Sequence, residues 1–203
     1  AKPGDSVQGT FDVLHVCFPW NNAFTPSVHK YQKQYLKPGG LAIIHSTVPV
    51  GTSEVCDAVH SPVRGMHPDL TAGIKKFVKY FGGPRAEAAA NLFTALGIKT
   101  KTTPLAKNTE ALKLWDTTYY AWNVVFNKEL HAWCEKHGLD FDLIYTDANR
   151  TYNAGYTELG RPQVARPVLN YKEGKIGGHC LIPNCELLES EIAKYILQEN
   201  DSY

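Results

Sequence analysis

The chain has 203 residues, 43% of them hydrophobic, with 21 basic and 20 acidic side chains for a net charge of +1. That is enough apolar material for a packed core and too regular a composition for disorder. The near-neutral balance, with no basic run interleaved with aromatics, excludes the electrostatic footprint of a nucleic-acid partner.

In chain order, F-D-V-L-H-V-C-F (11–18) is a short apolar run closed by Pro19, the pattern of a strand, and residues 26–36 carry helical spacing stopped by K-P-G-G. L-A-I-I-H-S (41–46) reads as the next buried strand, followed by the turn T-V-P-V-G-T and a helix over 53–59. Weaker strands at V-R-G-M-H (63–67) and K-Y-F-G-G (79–83) follow, then a helix over 84–96 and a strand near I-K-T-K-T-T (98–103). Strands alternating with helices predict an open α/β sheet, largely parallel at its start.

From 107 to about 137 the spacing predicts one long helix, stopped by Gly138. Leu112, Trp115, Tyr119, Trp122, Phe126, Leu130 and Trp133 fall three or four apart on one stripe, which calls for a packed partner. Lys113, Thr117, Tyr120, Val124, Asn127 and His131 share a roughly opposite face. A further helix over 140–152, a loop rich in Gly, Pro and Arg (155–178) and a last helix over 185–198 complete the chain. The change of character places a domain boundary near 106, giving an α/β domain over 1–106 and a helical one over 107–203.

Five cysteines (Cys17, Cys56, Cys134, Cys180, Cys185) with no C-x-x-C suggest neither a disulfide framework nor a zinc site, and no metal is expected. No apolar run approaches the roughly 20 residues that span a bilayer, and A-K-P-G-D-S lacks the apolar core of a signal peptide. A cytoplasmic protein with reduced thiols and no membrane partner is the expectation.

Three patches carry candidate chemistry. H-S-T-V-P-V-G-T (45–52) stands where an open α/β sheet binds ligands, at the carboxyl end of a strand. Its hydroxyls at Ser46, Thr47 and Thr52 and the amides opening the next helix suit a water, a carboxylate or a cofactor edge, or simply shape the turn and cap the helix. Lys113, one turn into the long helix, is either a general acid or base or a solvated charge. Cys180 follows Gly177, Gly178 and His179 and precedes a helix whose dipole would favour a thiolate; the other reading is a core cysteine after a turn.

Taken in order, these patches resemble the UDP-glucose/GDP-mannose dehydrogenase family, nucleotide-sugar 6-dehydrogenases related to the 6-phosphogluconate dehydrogenase-like enzymes. L-K-P-G-G-L-A-I-I-H-S-T-V-P-V-G-T resembles the family's segment with S-T-V-P-x-G-T, H-S-P-V-R its S-P-E-R/F element, and F-V-K-Y-F-G-G its strand leading to G-G. N-T-E-A-L-K-L-W-D-T-T-Y-Y resembles the start of the helix with the catalytic lysine, and G-G-H-C-L-I-P-N the loop with the nucleophilic cysteine.

The resemblance implies a partial Rossmann-like sheet followed by an all-α, 6-phosphogluconate dehydrogenase-like dimerisation domain. It implies oxidation of an alcohol to a carboxylate by NAD through a cysteine thioester, on a nucleotide sugar. Cys180 would be the nucleophile, Lys113 would stabilise oxyanion charge and Thr47 would position water. Thr47, Pro49 and Gly51 would face the cofactor, and Thr117, Gly177, Gly178, His179 and Asn184 the substrate. The 107–137 helix would build a homodimer.

The chain departs from the pattern in several places. It starts at what would be the family's fourth strand, without the G-x-G-x-x-G loop, so strand 11–18 needs cover on its outer edge from N-terminal residues, more chain or a partner. Val63, Thr117 and Asn184 replace the family's glutamate, asparagine and aspartate. A catalytically silent dimerising or ligand-binding relative is therefore the alternative, and a β-hydroxyacid-type reductase relying on the lysine alone is a third.

Overall fold

The computed structural model describes residues 7–65 and 68–203. Strand β1 (Phe11–Val16) alternates: Leu14 and Val16 join one apolar layer and Val13 the other, as period-two side chains must. Helix α1 (Phe24–Tyr35) follows, buries Phe24 and Val28 one turn apart, and ends where Lys37 precedes Pro38, a pairing that disfavours helical backbone. Strand β2 (Leu36–Ile44) then pairs parallel with β1.

K-P-G-G does not form a separate turn but lies within β2, where the register slips so that Phe11 faces Leu36 and Val13 faces Leu41. Arg85 clasps the looped-out residues, donating to the carbonyls of Gly40 (2.6 Å) and Gly39 (2.8 Å).

After the turn at 45–51, α2 (Thr52–Val55) is shorter than the helix expected over 53–59. Asp57 takes a left-handed backbone (φ 45°), which ends the helix and lets Val59–His60 become β3, parallel to β2. The strand expected at 63–67 is absent at Val63, Arg64 and Gly65, just after Pro62, which has no N–H for a ladder; Met66 and His67 lie outside the described residues. A helix not foreseen, α3 (Leu70–Lys76), leads into β4 (Lys79–Gly82), which runs antiparallel to β3. Helix α4 (Ala86–Thr94) and β5 (Thr100–Thr103), parallel to β4, complete a five-stranded sheet in the order β1-β2-β3-β4-β5.

One face of the sheet holds Val16, Phe24, Val28, Ile44 and Val48, and the other Ile43, Val59, Phe81, Ala89 and Ala90. Among the described residues β1 pairs with β2 alone, leaving its outer edge without a strand partner.

Helix α5 (Ala106–His137) contains the division between two compact units, which falls between Leu114 and Trp115. It ends at Gly138, whose φ of 66° suits glycine. A mixed α/β sheet followed by an all-α region with one long helix is thus the architecture, as expected.

In the second unit the small residues of α5 face inward. Ala121 and Val125 pack with Cys185 of α7 (Leu181–Glu186) and with Ala193 and Ile196 of α8 (Glu191–Ser202). The single last helix expected over 185–198 is therefore two, because Ser190 is extended and its hydroxyl caps α8 by accepting from Ala193 N at 3.1 Å. The large aromatics of α5 are exposed instead, Tyr119 at 61% and Phe126 at 54%.

The helix expected over 140–152 opens as a π-helical turn (Asp142–Asp147) and continues as α6 (Ala148–Glu158). Tyr145 of the π turn takes the Leu169 N–H on its hydroxyl (3.0 Å), and Asn153 of α6 bonds both the N–H and the C=O of Arg166 (2.8 and 2.9 Å).

Candidate functional site

In the first unit the turn H-S-T-V-P-V-G-T rests on the opening turns of α5. Glu110, 1% exposed, accepts from the amides of Gly51 (2.6 Å) and Ser53 (2.7 Å) through its two carboxylate oxygens. Gly51 has φ 100°, a backbone that glycine takes without strain. Thr52 Oγ1 donates to Pro49 O (2.7 Å) and Ser46 Oγ to Phe18 O (2.6 Å), so these hydroxyls shape the loop. Thr47 is half-buried in the same turn.

Beneath it, buried His60 places Nε2 3.2 Å from Ser46 O. A carbonyl only accepts, so the ring proton sits on Nε2, and Nδ1 lies 2.9 Å from Thr109 Oγ1, whose one hydrogen also has the Ala106 carbonyl at 2.9 Å as an acceptor. Burial brings His60 down to about 4, partly offset by the Ser46 bond, with the charges of Lys79 and Lys113 acting in the same direction as burial. Lys113 is half-buried, three residues along α5 from Glu110 and hence on the same side of the helix. Gly82 makes the close approach possible, since a Cβ there would stand 2.6 Å from Thr109 Oγ1 and 2.7 Å from Leu105 O.

In the second unit Cys180 is exposed and immediately precedes α7. That helix has only six residues, so its dipole offers less to a thiolate than the expected longer helix would. Asn184, buried one turn after Cys180, donates from Nδ2 to Thr117 Oγ1 at 3.0 Å, bringing two of the predicted substrate residues together. Gly177, Gly178 and His179 are exposed, with Gly178 at φ 90°.

The chain leading to them is anchored. Lys128 donates to the carbonyls of Lys172 (2.5 Å) and Gly174 (2.6 Å), and Asn200 Oδ1 accepts from Ile176 N at 2.6 Å. Burial lowers the Lys128 pKa, the nearby Glu173 carboxylate opposing it. Cys185 is buried packing, its thiol 3.7 Å from Thr118 Oγ1 and its pKa raised by burial.

Thr47, Pro49, Gly51 and Lys113 thus belong to the first unit, and Thr117, Gly177, Gly178, His179, Cys180 and Asn184 to the second. Glu110, His60 and Lys128 were not foreseen; the one signal was an acid three residues before Lys113, which pattern alone cannot tell from a surface pair. A cleft of about 690 Å³ in the second unit, lined by His131, Phe141, Asp147, Arg150 and Tyr171 among others, includes none of the predicted residues. Among the described residues no group of three or more His, Cys, Asp or Glu is placed to hold a metal ion, and no helix is long and apolar enough to cross a membrane.

No family model matches the sequence, and no curated protein matches it. Solved structures do match. An NDP-N-acetyl-D-galactosaminuronic acid dehydrogenase from Methanosarcina mazei Go1 superposes with a TM-score of 0.70 at 20% identity, over 94% of this chain and 48% of its own. The UDP-N-acetyl-mannosamine dehydrogenase from S. aureus gives 0.69 at 19%, over 98% and 52%. The Mycobacterium tuberculosis 3-hydroxyisobutyrate dehydrogenase gives 0.61 at 15%, over 92% and 72%.

The likeness is one of fold. It is shared with these solved dehydrogenase structures at 15–20% identity. The chain spans about half the length of the nucleotide-sugar enzymes it matches.

Proposed function

We propose that the chain is part of an oxidoreductase of the nucleotide-sugar dehydrogenase type, with Cys180 as nucleophile, Lys113 stabilising developing charge on oxygen and Thr47 positioning water. The observation that supports this reading is the extent of the fold likeness, over 94% and 98% of the chain, which takes in the strand-end turn, the long helix and the cysteine loop together. Thr117 and Asn184 then frame the substrate beside Cys180 as a hydrogen-bonded amide and hydroxyl, in place of an acid.

The residues present do not fit a dinucleotide on their own. The 203 residues contain no G-x-G-x-x-G, and the Gly51 and Ser53 amides are committed to Glu110. Thr47 and Pro49 are left as the candidate edge contacts for NAD, and no step is derived through it. The test is NADH formation, read by absorbance, with UDP- and GDP-sugars. Turnover abolished by Cys180→Ser is expected, and calorimetry showing no nucleotide bound at millimolar ligand would count against the reading.

The exposed aromatic face of α5 supports a second reading, a dimerising relative without catalysis. In that case Cys180→Ser and Lys113→Ala leave self-association unchanged and no sugar nucleotide is turned over.

A further inference from the structure

The last third of α5 grips the chain that runs on to Cys180. Asn127, 2% exposed, donates from Nδ2 to Leu169 O at 3.2 Å, and the centre of the His131 ring lies 3.6 Å from that of Tyr171 with 5° between their planes. Between these two contacts stands Lys128, 5% exposed, whose Nζ donates to the carbonyls of Lys172 (2.5 Å) and Gly174 (2.6 Å), one on either side of Glu173. Two rings lie beside the same nitrogen, with their centres 5.4 Å (Tyr171) and 4.9 Å (Tyr203) away. An ammonium matches this set, since a charged donor makes the stronger bond to a carbonyl and rings at these distances attract a cation.

The hold continues as far as Ile176, whose N–H donates to Asn200 Oδ1 at 2.6 Å, and Lys175 beside it pairs with Asp201 at 3.1 Å. From there only Gly177, Gly178 and His179 lead to Cys180, and a Cβ added at either glycine would meet nothing within 4 Å. On the far side Cys180 O accepts from Asn184 N at 3.2 Å, and Asn184 Nδ2 is tied to Thr117 Oγ1 at 3.0 Å. Cys180 is thus strung between two points of α5, Thr117 through α7 and Lys128 through the loop, which lie about 16 Å apart along the helix. The stretch from Ile176 to Cys180 reaches at most about 14 Å, so the place where the loop is pinned limits where the thiol can stand.

We infer that Lys128 is a positioning residue for Cys180, holding the loop at the place from which the glycine tether presents the thiol. The inference rests on the reading of Cys180 as nucleophile. Lys128 acts on the thiol through the Lys172 and Gly174 carbonyls, so its loss displaces the nucleophile and leaves the Thr117–Asn184 bond in place. Such a displacement is felt in the reacting geometry, and it lowers kcat more than it raises KM.

The first test reads the thiol itself. A nitroxide attached at Cys180 in a Cys17→Ser background reports its mobility by electron paramagnetic resonance, the other three cysteines being buried. Lys128→Met keeps an apolar stem against the two rings and removes both donors. Its spectrum is expected to narrow while the helical circular dichroism stays that of wild type. Lys128→Arg keeps the charge and donors for both carbonyls, and is expected to restore the wild-type line shape. An unchanged line shape in Lys128→Met would overturn the inference. Should that variant lose its helical signal, Lys128→Gln is read in its place.

The second test is kinetic, with the unlabelled chain and UDP- and GDP-sugars. In Lys128→Met, kcat is expected to fall about tenfold with KM for the sugar within about twofold, and Lys128→Arg to recover most of the loss. An unchanged kcat, or a rise in KM alone, would also overturn the inference. If the wild-type chain forms no NADH, the dehydrogenase reading fails, and the nitroxide spectra still decide whether Lys128 places Cys180.

Discussion

Glu110 does for the start of α2 what a bound anion does at many helix starts, and it does so from within the fold. Its two oxygens hold the Gly51 and Ser53 amides, so the turn that bears Thr47 is tied to the helix that bears Lys113. Glu110→Gln keeps the shape but replaces one acceptor oxygen with a donor facing an amide N–H. A loss of about 2 kcal/mol is expected in urea unfolding, typical of a hydrogen bond to a charged group in a buried setting; a change within error would show the carboxylate to be dispensable. Little of this was legible in the sequence. Cys180, Thr117 and Asn184 could be picked out because motif order marks them, but nothing local distinguishes Glu110 from a solvated acid, or Lys79 from an edge-strand lysine. Burial of a charge is decided by what packs over it, and that comes from residues up to about sixty positions away in the chain.

At the scale of elements, periodicity anticipated α1, α4, α5 and four of the five strands, while breaks within short segments escaped it. Asp57 ended α2 early through a backbone state that aspartate adopts only occasionally, and Ser190 split the last helix by capping it. Ser190→Ala should cost about 1 kcal/mol, the usual worth of an N-cap, measurable as a fall in thermal midpoint; no fall would mean that packing alone sets the start of α8. The long helix presents the opposite case, in which spacing found the aromatic stripe and the fold turned it outward. With Ala121 and Val125 serving the internal core, Tyr119 and Phe126 are left for a partner surface. If that surface is a second copy of the chain, sedimentation velocity will show a dimer that the Tyr119→Ala, Phe126→Ala double variant converts to monomer with its helicity intact. A monomeric wild type would sink the homodimer.

For the whole molecule, the buried imidazoles make stability a function of pH. Burial holds His45 near 3 and His60 near 4, against about 6.5 in the unfolded chain, with His15 shifted in the same direction. Between those limits the unfolded state binds more protons, so the stabilisation is complete above about pH 6.5 and is lost as pH falls towards 4. Each fully buried histidine contributes a slope of up to about 1.4 kcal/mol per pH unit. Urea midpoints measured at pH 7.5, 6 and 5 are expected to fall in that order, and less steeply for His45→Asn; a flat profile would contradict the neutral-imidazole assignment.

The π-helical turn at Asp142–Asp147 acts as a phase shifter for α6, the helix it opens. Such a turn carries one residue more than an α-helix of the same rise. Deleting a single residue there would let the backbone close as ordinary α-helix while rotating every later side chain by about 100°. Asn153 would then swing away from Arg166, which it grips by both N–H and C=O, and the loop running on towards Cys180 would lose that anchor. The surplus residue sets the azimuth of α6, so a change that looks harmless to helix content would misaddress the loop.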